Sequence, residues 1–197
     1  MKKILSLIIL VSVLTACQDQ LDIENPNEAT VESFWKNEND AIAGINAVYS
    51  TLHRGAISRW MPFYYIIRSD EGKSTSPATD IVNNMDQFLV TDYNYGNAYG
   101  IWNDLYVGVF RANQVLDNVP NIEMNETVKA GVIGEAKFLR GLFYYNLVSL
   151  WGNVPLMLKT STPNDRPETS PMEVVWAQVE QDLTEAAASL PAAYGDA

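Results

Sequence analysis

The sequence predicts an all-α fold of helical hairpins joined by long loops, and three observations support it. Apolar residues recur at three- and four-residue spacing over four separate stretches. Asn, Ser, Gly and Pro punctuate the ends of those stretches, and nowhere do apolar and polar residues alternate for the length of a strand. The composition supplies a core: 47% of the 197 residues are hydrophobic, 11% are aromatic and 19% are charged. A chain that stays unfolded carries less apolar material.

The N-terminus reads MKKILSLIILVSVLTAC, with Lys2 and Lys3 ahead of an apolar run from Ile4 to Leu14. The eleven residues of that run span about 16 Å as a helix, roughly half the hydrocarbon thickness of a bilayer. An export signal fits this length better than a membrane anchor. Leu14-Thr15-Ala16-Cys17 is similar to a bacterial lipobox, in which the chain is cut before the cysteine and the cysteine is acylated. Residues 1–16 are therefore expected to be a lipoprotein signal peptide and Cys17 the lipidation site. Several acyl chains, at about 0.8 kcal/mol per buried CH₂, make a lasting membrane tether. Residues 17–27 carry Asp19, Asp22, Glu24 and Pro26 but little core material, and are expected to form a flexible leash.

Residues 28–197 are expected to be helical. The first helix presents Ala41, Ile42, Ile45, Val48, Tyr49 and Leu52 on one face, with Asn37 as N-cap and Gly55 as a stop. The second carries Trp102, Leu105, Tyr106, Val109, Ala112, Leu116 and Val119 and ends at Pro120. The third runs from about Glu126 to Trp151, with Val132, Ala136, Leu139, Phe143 and Leu147 on its stripe and Gly152 at its close. In the fourth, Ser170, Pro171 and Glu173 suggest a capping box, followed by Val175, Val179, Leu183, Ala186 and Leu190. Ser69–Thr79 and Thr160–Ser170 read as loops. A short link between the second and third helices implies an antiparallel hairpin, with Ala112, Gly131, Gly134, Ala136 and Gly141 allowing close approach. The pair resembles a tetratricopeptide-type hairpin, the unit of a superhelical scaffold.

Three motifs in order narrow the reading: FRANQVLDNVP from Phe110 to Pro120, GEAKFLRGLFYYNLVSLWGNVPLM from Gly134 to Met157, and the final helix with Gln181-Asp182-Leu183 and Leu190-Pro191. Together with Asn25–Leu52 they closely resemble the SusD/RagB family of Bacteroidetes outer-membrane lipoproteins. The resemblance covers less than half of a typical member, so the chain is expected to be an N-terminal portion, incomplete at its C-terminus. It implies no catalysis. It implies an oligosaccharide ligand and, as partner, a TonB-dependent SusC-like transporter. Arg111 and Asn113, beside the apolar stripe, are expected to brace neighbouring connections by hydrogen bonds.

Two aromatic segments are candidate ligand contacts, because sugars stack their C–H faces on rings and take hydrogen bonds from planar polar groups. The first offers Trp60, Tyr64, Tyr65, Arg68 and Asp70, just ahead of a polar stretch expected to be a surface loop. The second offers Tyr93 and Tyr95. Trp102, on the apolar stripe, is expected to be core. Other chemistries find little support. With 24 acidic against 13 basic residues the net charge is −11, and loss of the signal's two lysines makes it −13. Such a surface repels nucleic acid. One cysteine and one histidine, His53, exclude a disulfide framework and sites needing two His from one chain. Gly72-Lys73-Ser74 matches the tail of a phosphate-binding loop, but Ile67 stands where its first glycine belongs. No cofactor or metal is expected. The leading function is a surface lipoprotein that captures glycan for a transporter; the alternatives are a lipid-anchored protein-binding scaffold and, third, a polysaccharide hydrolase using Asp70 and Glu71.

Overall fold

The computed structural model describes residues 34–77, 80–89 and 96–193. The chain divides after Phe34, and the helices and strands beyond that point belong to one compact unit, Trp35–Ala197. Cys17, Tyr93 and Tyr95 lie outside the described residues.

The first helix, α1 (Glu38–Ser50), starts where the capping chemistry places it. Asn37 Oδ1 accepts from the backbone N–H of Asn39 and Asp40, while Asp40 Oδ2 accepts from the N–H of Asn37. Ala41, Ile45 and Val48 are buried, and Gly44 admits the ring of Trp35. The chain does not stop at Gly55. A 3₁₀ turn (Thr51–His53) breaks at Arg54, whose backbone is extended, and Gly55 then re-enters helical space with φ −59°. A π-helical turn (Ala56–Trp60) runs straight into α2 (Met61–Ile67), with Pro62 in its first turn, where a missing N–H is tolerated. The aromatic segment expected near a loop is thus helical.

A short helix, α3 (Ile81–Asp86), is capped by Asp80, whose Oδ1 accepts from Val82 N. Then come α4 (Gly96–Asn118), a 3₁₀ turn at Val119–Asn121, and α5 (Glu126–Trp151), N-capped by Asn125. Gly152 closes α5 at φ +71°, a backbone that favours glycine. The connection after it contains two minimal strands, β1 (Val154–Pro155) and β2 (Thr169–Ser170), paired antiparallel with Val154 opposite Ser170. The last helix, α6, spans Met172–Ser189.

Trp102, Tyr106 and Gly108 of α4 meet Trp151, Tyr144 and Phe143 of α5, so the two helices run antiparallel, as the short link requires. Gly134, Gly141 and Tyr145 of α5 meet Leu190 beyond α6 and Leu183 and Trp176 within it, which makes that pair antiparallel too. The architecture is therefore a helical layer α4–α5–α6 with α1 packed on α4 and α5. Two expectations need correcting. Ser170 does not cap α6, because it is committed to the β pairing; Asn153 Oδ1 accepts from Met172 N instead. The glycines of α5 do not seat α4: Gly134 and Gly141 face the α6 side and Gly131 faces open space, while Gly108 provides the close approach of α4 to Phe143.

Candidate functional site

Helical spacing divides the aromatic run Trp60–Tyr65 between core and surface. Tyr64 and Ile67, one turn apart, point inward, with Tyr64 only 6% exposed in the core. Tyr64 thus sits as a core ring, not displayed as the loop reading expected. Trp60 is half-buried against that core; Phe63 meets it edge-on at 5.9 Å, and the Arg59 guanidinium lies 5.0 Å from its ring centre. Tyr65, Arg68 and Asp70 are exposed. The hydroxyl of Tyr65 donates to Asn146 Oδ1 at 3.2 Å, and partial burial, with Tyr145 nearby, holds its pKa above the usual tyrosine value. It therefore stays a neutral hydrogen-bonding group across ordinary pH.

Beyond α2 the chain turns tightly. Ser69 Oγ donates to Ile66 O and accepts from Glu71 N, and Gly72 packs so close to Ile66 that any Cβ would lie 2.8 Å from its carbonyl oxygen. Residues 72–77 form the expected surface loop, fastened to α3 by Ser74 N donating to Asp86 Oδ2. Through this fastening the end of α3 comes beside the end of α2, and the Arg68 guanidinium lies 4.7 Å from the ring centre of Phe88. Sequence reasoning missed Phe88. The available signal was a large aromatic immediately after a short capped helix, where glycine is the usual residue.

Within the helical layer a buried polar hub joins α4, α5 and α6. Arg140 on α5 donates two hydrogen bonds to Asp182 of α6, Nε to Oδ2 at 2.8 Å and Nη2 to Oδ1 at 2.7 Å, and a third to Asn113 Oδ1 of α4 at 2.9 Å. Asn113 Nδ2 in turn donates to the carbonyls of Met157 and Lys159. Tyr144 closes the same connection, its hydroxyl donating to Met157 O and accepting from Met157 N. Burial is the largest influence on Tyr144 and pushes its pKa up to about 12. Arg111 donates to Ala47 O, Ser50 Oγ and Thr51 Oγ1, so it holds the C-terminal turn of α1. Both bracing roles expected of the Phe110–Pro120 motif are present.

The same connection roofs a cleft of about 230 Å³ lined by Trp102, Tyr106, Phe110, Pro155, Met157 and Pro167 among others. Trp102 is half-buried and not fully core: it packs edge-on against Trp151 yet contributes to the cleft wall. Two polar side chains of this lining are engaged, Asn113 with the Met157 and Lys159 carbonyls and Tyr106 with Pro155. Tyr106 donates to Pro155 O at 2.7 Å, and burial drives its pKa far above the usual value. Among the described residues, no group of three His, Cys, Asp or Glu is placed to hold a metal, and no helix is long and apolar enough to cross a membrane.

The family model described as starch-binding and associating with the outer membrane, a SusD-like model, matches residues 70–196, more than half of the chain. The chain belongs to the SusD/RagB family. Two SusD-like proteins of Formosa agariphila are similar to it: one is 31% identical over 96% of this chain and 37% of its own length, another 30% identical over 95% and 38%. Among solved structures, a laminarin-binding SusD-like protein is 30% identical, with a TM-score of 0.69 over 80% of this chain and 35% of that one. A SusD superfamily protein of Bacteroides vulgatus, 24% identical with a TM-score of 0.71 over 82% of this chain and 36% of that one, shows the same fold. The chain thus spans little more than a third of the relatives it matches. In this SusD-like chain the hub residues Asn113, Arg140 and Asp182 lie one in each of the three motifs that carried the resemblance. Those motifs hold three helices and a connection together; the exposed polar and aromatic groups at the end of α2 are left free of that task.

Proposed function

We propose that this protein captures oligosaccharide at the cell surface and passes it to a SusC-like TonB-dependent transporter, without catalysis. The observation that carries the reading is the end of α2, where Tyr65, Arg68 and Asp70 stand exposed, with the half-buried Trp60 at the start of the same helix. A pyranose needs one apolar surface and a few oriented donors and acceptors, and this edge supplies both on a scaffold that does not have to reorganise. The laminarin-binding relative supports a glycan as the ligand. Anchoring through acylated Cys17 would hold the site at the outer membrane, in keeping with the family description. Tyr93 and Tyr95, outside the described residues, are kept as proposed ligand contacts.

The test is isothermal titration of the purified protein against a panel of uncharged oligosaccharides, with product analysis in parallel. Binding without new reducing ends is the expected result. Release of shorter sugars would move the protein to the hydrolase class, and co-purification with a transporter without any sugar binding would favour the scaffold. Tyr65→Ala and Arg68→Ala are expected to weaken binding with the fold intact, both side chains being exposed.

A further inference from the structure

We propose that Phe88 is a stacking platform for a sugar ring, set in place by Arg68, and that the surface around it selects uncharged glycans. This inference rests on the glycan-binding reading and names a residue and a ligand class that reading leaves open.

The starting observation is the backbone of Phe88, which has φ +56° and is the only non-glycine residue with positive φ among the described residues. An L-residue there brings its Cβ against the neighbouring backbone, and bulky side chains are rarely found in it. The conformation is imposed by the end of α3. Phe88 N donates to Met85 O at 3.2 Å, and Leu89 N reaches back to Asn84 O at 2.7 Å. That pair of bonds is a Schellman closure, and its left-handed position is where glycine costs least. Here the position holds a phenylalanine.

The side chain does not recover the cost by burial, since Phe88 remains 63% exposed. What it has is an orientation. The Arg68 guanidinium sits 4.7 Å from the ring centre, covering part of the ring and fixing it beside the end of α2. An exposed ring, held by a strained backbone and a cation, is a preorganised surface for the C–H face of a pyranose. The guanidinium N–H groups of Arg68 are donors that the hydroxyls of a stacked sugar would meet.

Charge narrows the ligand. From Arg68 to Leu89 the described residues carry Asp70, Glu71, Asp80 and Asp86 against Arg68 and Lys73, an acidic excess of two on a chain whose net charge is −11. Asp86 is brought to this surface directly, through its bond from Ser74 N. A uronate or sulfated glycan would meet repulsion there, and the one guanidinium at the platform is already engaged with the ring.

The experiment compares wild type, Phe88→Gly, Phe88→Leu and Phe88→Tyr in the full chain. Each is titrated with the uncharged oligosaccharide panel and with oligogalacturonate, and its melting temperature is measured. The expected result is that Phe88→Gly melts no lower than wild type, because glycine relieves the left-handed strain. Its affinity for the uncharged ligand should nevertheless fall about five- to tenfold, the loss of one stacking contact. Phe88→Leu should lose affinity similarly and Phe88→Tyr should keep it within about twofold. Oligogalacturonate should bind wild type more weakly than the uncharged panel. If wild type binds an uncharged glycan and all three variants match it, the stacking role is overturned while the glycan reading stands. Tighter binding of oligogalacturonate overturns the ligand class. If wild type binds no glycan, both readings fall together.

Discussion

Replacing Arg140 by methionine should be among the most damaging single changes in this fold. The arginine and its partner Asp182 have side chains 8% and 1% exposed, so neither charge is solvated by bulk water. Arg140→Met keeps most of the side-chain volume but leaves Asp182 with a neutral hydrogen bond from Gln178 Nε2, at 2.9 Å, in place of its bidentate cation. Breaking a buried pair from one side costs about 3–5 kcal/mol. Asn113 Oδ1 also loses its donor, adding about 1 kcal/mol. A total of about 4–6 kcal/mol corresponds to a melting temperature lower by roughly 8–24 °C for a unit of this size. The assay is urea unfolding of Arg140→Met, Asp182→Leu and the double variant, followed by circular dichroism. The double variant removes both charges together, so it should be more stable than the sum of the single effects by at least about 2 kcal/mol. A loss below about 1 kcal/mol for Arg140→Met, or a double variant that is simply additive, would refute the hub as the element that joins α4, α5 and α6.

Gly108→Ala would place a Cβ 2.5 Å from the Phe143 ring, which is fully buried; the expected cost is about 1–3 kcal/mol, read as a lower denaturation midpoint. Asp117 titrates below the ordinary carboxylate range: burial opposes ionisation, but donors from Thr160 and Lys159 outweigh it. Its contribution should be complete above about pH 4 and lost as pH falls through the lowered folded-state value. Asp117→Asn should therefore lower the melting temperature at pH 7 and narrow its gap to wild type in acid, and an unchanged gap would count against a stabilising role for the Asp117 contacts with Lys159 and Thr160. Cys17→Ala should release the protein from the envelope fraction after a salt wash; a mutant that still pellets would end the lipid-anchor proposal.

Asn37 and Gly152 were legible as helix boundaries because ending a helix is a local problem, settled by residues within a few positions of the helix end. The stripes of α4, α5 and α6 were legible for a related reason: a helix buries what its 3.6-residue period places on one side. Arg111 and Asn113 could be identified as braces, though not with their partners, because those partners lie 27 or more residues away in the chain.

The amino-acid sequence by itself therefore determined the helical class, the order of the long helices and, through three motifs, the family. Tertiary structure decided everything that depends on which distant segments meet. The fate of Ser170 turned on Val154, which claimed it for a β pairing and left Asn153 to cap α6. Gly134 and Gly141 served the α6 side because α5 presents that stripe away from α4. Trp60 and Tyr64 were drawn toward the core when the segment after Gly55 folded as helix, leaving Tyr65, Arg68 and Asp70 outside. Phe88 reached Arg68 only because a loop fastened α3 beside α2. Periodicity and capping are readable within a few residues, whereas packing between segments depends on contacts that no local pattern encodes.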